Sequence, residues 1–173
     1  MTKALIHSAS TRDIDRVSGR LVAARQQQPQ ACRVPVHEVS PVTGGEHPAL
    51  VQIYQRMGGL VSCDHAAALL GRHHEQPISR LARWIVAREV VTFSWQSATL
   101  IPLFQFDASD MTLRGAASAV IAELSGALDD FELAAWFARP NCWLGGAAPV
   151  AMIETDQLAV IRAARADRYI ALG

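Results

Sequence analysis

The chain has 173 residues, of which half are apolar and 18% are charged, enough for one ordinary domain or two small ones with a real core and too apolar for disorder. Sixteen basic residues balance sixteen acidic ones, so no global field draws the chain to nucleic acid or an anionic membrane, and any DNA contact must come from a local patch. Cys32, Cys63 and Cys142 form no CxxC pair. With no secretory leader and no apolar run of about 18 residues, the chain reads as a soluble cytoplasmic protein.

In chain order, residues 10–27 place Ile14, Val17, Leu21 and Val22 at helical spacing, with arginines on the other face. Residues 28–47 carry three prolines and a Gly-Gly pair and read as an irregular linker. The expected division is therefore residues 1–46 as helix and linker, 47–106 as a middle domain and 107–173 as a C-terminal helical domain.

PALVQIYQRM, residues 48–57, predicts a helix with proline in its first turn and Gly58-Gly59 stopping it. Leu60 and Val61 lead into Ser62, a natural cap for a small Ala-rich helix that Gly71 ends. After RHHEQP, the stretch ISRLARWIVARE turns Ile78, Leu81, Ala82 and Ile85 inward and several arginines outward. VVTFSWQSATLIPLFQF then changes to β-branched and aromatic residues, with Gln96-Ser97 as the turn of a hairpin. The fold class expected is mainly α with a small β-hairpin: a winged helix-turn-helix-like unit followed by a small helical bundle.

The order of residues 60–106, with AAALLG before a helix rich in Ile, Leu and Arg and a hairpin ending in LIPLFQF, resembles winged helix-turn-helix domains of the excisionase and MerR type. That resemblance implies DNA contacts by Arg72, Ser79, Arg80, Arg83 and Arg88. Two features depart from it: RHHEQP is longer than the tight turn of a strict helix-turn-helix, and Trp84 is as suited to a core as to a groove. From Val51 to Gln105 five arginines face one Asp and two Glu, so the region is only mildly basic.

Past residue 106, Leu113, Ala117, Val120, Ile121 and Leu124 repeat at helical spacing. DDFELAAWFARP reads as a helix that Asp129 or Asp130 caps and Pro140 ends. Asn141 can cap the turn that follows, Leu144 can plug the core, Gly145 and Gly146 permit positive φ or close backbone contact, and Pro149 starts the next helix. Read this way, the stretch is a joint in the fold.

Trp136, Pro140, Asn141, Leu144, Gly145, Gly146 and Pro149 together make a W-x-x-x-P-N-x-x-L-G-G-x-x-P pattern, followed by the helix DQLAVIRAARA. Over about 70 residues this resembles the toxin-binding domain of the Xre/MbcA/ParS antitoxin family. The resemblance implies an antitoxin of a bacterial type II toxin–antitoxin pair, commonly a homodimer. It would neutralise a cognate toxin, usually a RES-domain enzyme that degrades NAD, and repress its own operon at operator DNA. The C-terminal end would lie against the toxin, with Arg165, Arg168 and Tyr169 as partner-binding residues; Trp143, where the pattern demands no aromatic, is a further anchor if it is exposed.

No catalytic or metal site is expected. Cys63, His65, His73 and His74 match no zinc spacing, and no nucleophile elbow, GxGxxG or phosphate loop is present in the sequence. The expectation is a binding protein with no cofactor and not an enzyme. The alternative is a stand-alone DNA-binding regulator or adaptor without a toxin partner.

Overall fold

The computed structural model describes residues 46–173; the helix expected over residues 10–27 and the linker after it lie outside the described residues. The described part is mainly helical with a small antiparallel sheet. It runs α1 (Glu46–Arg56), β1 (Leu60–Ser62), α2 (Cys63–Leu70), α3 (Pro77–Val86), β2 (Phe93–Trp95) and β3 (Ala98–Pro102). It continues with α4 (Gly115–Leu124), α5 (Asp130–Ala138), α6 (Pro149–Met152) and α7 (Gln157–Leu172).

The helix ends follow local chemistry. Ser62 caps α2 by accepting from the His65 amide at 3.3 Å. Asp129 and Glu132 form a reciprocal capping box at the start of α5, at 2.7 and 2.8 Å. Asp156 accepts from the Ala159 amide at 3.0 Å to start α7. Gly58 and Gly59 end α1 with φ of 104° and 110°, a region that penalises other residues.

The hairpin forms where the period changes. Gln96 and Ser97 both take left-handed φ, 48° and 64°, as a two-residue type I′ turn requires, so Trp95 pairs with Ala98 and Phe93 with Leu100. A third strand adds to the expected pair: Leu60–Ser62 lies antiparallel to β3, giving the order β1-β3-β2. Three residues are too few to show a strand period, which is why β1 is invisible in the sequence. This is the connectivity of a winged helix, with α2 and α3 between the first and second strands.

Two hydrophobic clusters hold the described residues. The smaller sits under the winged unit: Ala66, Leu70, Leu81, Val90, Ile101, Phe106 and Met111. The larger joins Leu50, Tyr54, Val91, Phe93 and Phe104 to Val120, Ile121, Leu124, Leu133, Phe137, Val160 and Ala164. Residue 106 is therefore not a boundary of the core. Tyr54 stacks on Phe104 at 5.8 Å, Phe104 meets Phe137 at 4.9 Å, and the Tyr54 hydroxyl donates to the Ala134 carbonyl at 2.6 Å. Burial pushes that hydroxyl well above a tyrosine's ordinary pKa, so it stays a donor.

Buried Gln105 replaces a missing strand neighbour. Its Oε1 accepts from the Val91 amide at 2.7 Å, and its Nε2 donates to the Val91 and Pro102 carbonyls at 3.0 and 2.9 Å. Backbone groups that would otherwise be buried unpaired are satisfied this way.

Candidate functional site

The C-terminal motif folds as the sequence suggests at each of its own positions. Helix α5 ends before Pro140; Asn141 Oδ1 accepts from the Trp143 amide at 2.9 Å; Gly145 and Gly146 take φ of 64° and 88°; Leu144 is buried; and Pro149 opens α6. Open space surrounds both glycines, so their backbone conformation, not crowding, is what favours glycine there.

What the motif is folded around is Asp167, on α7. Its Oδ2 accepts from Trp136 Nε1 and from Asn141 Nδ2, both at 2.7 Å, and its Oδ1 accepts from Trp143 Nε1 at 2.9 Å. Three donors from the joint thus converge on one carboxylate 24 to 31 residues away. No local signal marks Asp167 in the sequence, since it lies within an arginine-rich helix.

Trp143 answers the question left by the sequence in two parts. The residue is half exposed, at 51%, while its indole nitrogen is held by Asp167. It is an aromatic surface with a fixed orientation. Beyond it, Tyr169, Ile170 and Leu172 are exposed at the end of α7.

Arg165 and Arg168 are not free surface cations. Arg165 Nε donates to Glu123 Oε1 at 2.8 Å and Arg168 Nη1 to Oε2 at 3.0 Å, clamping α7 to α4. Hydrogen bonding to Arg165 leads the effects that hold the Glu123 carboxyl below the ordinary glutamate range. Both arginine side chains keep more than half of their surface in solvent, so they stay available to a partner.

On the winged unit the five residues named for DNA contact separate. Arg72, Ser79 and Arg83 are exposed. Arg80 is half-buried, lies 5.8 Å over the Trp84 ring, and has a buried Nε with no hydrogen-bond partner among the described residues. Trp84 itself packs against Phe106 at 6.1 Å.

Arg88 is placed apart from the other four. It lies past the end of α3 with φ of 53°, and its guanidinium is spent on the protein: on Asp130 at 3.0 Å, on the Leu128 carbonyl at 2.7 Å and on the Ser125 carbonyl. It ties the winged unit to the loop before α5. The helix expected through Glu89 ends at Val86, which takes Arg88 off the outward face of α3.

That outward face is also less polar than a groove-reading helix requires. Ile78 and Val86 are 73% and 85% exposed. Expected to face inward, Ile78 and Ala82 in fact look outward, while Leu81 is buried and Ile85 half-buried.

Cys63 is half-buried at the start of α2, with its thiol directed to the Thr99 carbonyl at 3.7 Å. Burial, and then Asp64 beside it, push the thiol up, away from a reactive thiolate. Among the described residues no group of three or more His, Cys, Asp and Glu could hold a metal, and no helix is long and apolar enough to cross a membrane.

In comparisons with protein-family models, curated proteins and solved structures, nothing matches this chain.

Proposed function

We propose that this chain acts by binding another protein, as the antitoxin of a bacterial type II toxin–antitoxin pair working in the cytoplasm, and that the end of α7 together with Trp143 forms the toxin-binding surface. The observation that carries this reading is the combination of exposure and rigidity. Tyr169, Ile170 and Leu172 are exposed beside Arg165 and Arg168, while Asp167 and Glu123 hold that helix in place. Aromatic and arginine side chains on a pre-ordered frame lose little entropy on docking and dominate interface energetics. The motif from Trp136 to Pro149 supports the same reading through its resemblance to the toxin-binding domain of Xre/MbcA/ParS antitoxins, whose usual partner is a RES-domain toxin.

Neutralisation would be steric: no bond is made or broken by this chain. The test is co-expression with the reading frame beside its gene. Rescue of growth and a co-purifying complex support the reading, and loss of both on Tyr169→Ala with Trp143→Ala places the surface. A neighbour that is not toxic, or toxicity unrelieved by this chain, sinks it.

The second reading is a DNA-binding regulator, either as the autorepressing half of the antitoxin or without any toxin. The winged connectivity and the exposure of Arg72, Ser79 and Arg83 favour it. It predicts a salt-dependent shift of the upstream DNA that Arg83→Ala weakens. An Arg83→Ala protein that binds as tightly as the parent overturns it.

A further inference from the structure

The outward face of α3 carries Ile78, Ala82 and Val86 at i, i+4 and i+8, one unbroken apolar stripe. Two of them are the most exposed large aliphatic side chains of the winged unit. The stripe runs into a groove of about 470 Å³ between α2 and α3. Its α2 wall is Cys63, Asp64, Ala67 and Ala68, continued by Gly71 and mostly small, and Leu81 and Ile85 line the α3 side. Small walls on one side and aliphatic side chains on the other make a slot that accepts large apolar side chains from outside. Such a surface stands at an energetic cost in water and marks an interface.

Polar residues at its borders say what fits. Ser79 and Arg83 form the next row on α3, one i, i+4 step apart and both exposed. On the α2 side Asp64 lines the groove, and Arg72, exposed, directly follows the groove-lining Gly71. The α3 edge is therefore basic and the α2 edge acidic.

We infer that the α2–α3 groove is a docking site for an amphipathic helix of a partner protein, one that puts apolar anchors at i, i+3 or i+4 and i+7 into the groove and a row of carboxylates beside Arg83 and Arg72. Asp64 repels that row from the other wall and so sets which way round the helix lies. This is the helix-in-groove mode, in which the apolar row gives affinity and the flanking charges give orientation. The inference is independent of the toxin-binding reading, which concerns the other end of the chain.

DNA fits the surface less well. Base edges in the major groove present donors and acceptors, and an apolar row along the middle of the helix answers none of them apart from a thymine methyl. A second copy fits less well too. Packing α3 antiparallel on itself about Ala82 brings Arg83 against its own symmetry mate.

The test uses the full chain and two synthetic helical peptides with the same leucine spacing, one with a glutamate edge and one with a lysine edge, read by fluorescence anisotropy. The Glu-edged peptide should bind at least about tenfold more tightly than the Lys-edged one. Ala82→Arg, at an exposed position, should abolish binding. Arg83→Glu, which leaves the groove intact, should reverse the preference between the peptides, with circular dichroism confirming that both variants fold. The inference is overturned if neither peptide binds or if the preference ignores Arg83. It is equally overturned if the parent sediments as a dimer that Ala82→Arg dissolves, or if duplex DNA occupies this face with Arg83-dependent affinity.

Discussion

The indole of Trp143 donates to the carboxylate of Asp167 at 2.9 Å, while the residue stays half in solvent. An exposed tryptophan on a turn would ordinarily sample several rotamers. Here the side chain is pinned by a residue on another helix, so its apolar face is presented in one orientation and the entropy cost of binding it is already met.

Asp167→Ala should cost about 2–4 kcal/mol in urea unfolding, because it strands the donors of Trp136 and Asn141 in a partly buried site as well as releasing Trp143. Asp167→Asn, which keeps one carbonyl acceptor, should lose less. Equal losses for the two would mean that the carboxylate is not the hub.

Tyr54→Phe removes only a hydroxyl, and the lost bond to the Ala134 carbonyl should cost about 1–2 kcal/mol. Since Tyr54, Phe104 and Phe137 share one cluster, near-ultraviolet dichroism and backbone exchange should report a single unfolding transition for residues 47–106 and 107–173, shifted as one by this change. Two separate transitions would show that the shared packing is too weak to couple them.

Arg88→Ala should destabilise by about 1–3 kcal/mol, chiefly through the unpaired Ser125 and Leu128 carbonyls. The ion pair with Asp130, whose side chain is mostly exposed, contributes little of that. Arg88→Lys should not restore it, since a single ammonium cannot reach three acceptors in the arginine's fork. Any DNA affinity should be unchanged per folded molecule, and a specific loss of DNA binding would return Arg88 to the groove.

Glu123 supplies a pH dependence. Its carboxyl is held below the ordinary value of about 4.5 by Arg165 and then Arg168, so the folded state binds the proton less readily than the unfolded one. The stabilisation is fully present above the unfolded value and is lost as pH falls through the lower folded one. Glu123→Gln should flatten that acid limb in a pH series of thermal midpoints and leave the slope near neutrality untouched. An unchanged acid limb would show that the clamp is not formed in solution.

Much of the fold is legible in the residues because it rests on local chemistry. Proline at 140 and 149, glycine at 145 and 146, and the capping pair Asp129 and Glu132 each act within a few residues, through allowed backbone angles and nearby amides. Helical spacing likewise places Val120, Ile121 and Leu124 in the core. The strand Leu60–Ser62 escapes because three residues carry no period; Ile78 is misplaced because apolar spacing does not say which face of α3 meets the core, and Arg88 because α3 stops at Val86, before it.

The sequence alone determines the helices, the hairpin, the joint after α5 and the small alanines that let helices approach. Tertiary structure alone decides which polar side chains are spent inside and which remain for a partner. Asp167 and Glu123 look like two acids among many, and Arg88 looks like a surface cation, until contacts between residues 24 to 45 positions apart give them partners. A hydrogen bond depends on where two chain segments come together, and periodicity within one segment holds no information about the other.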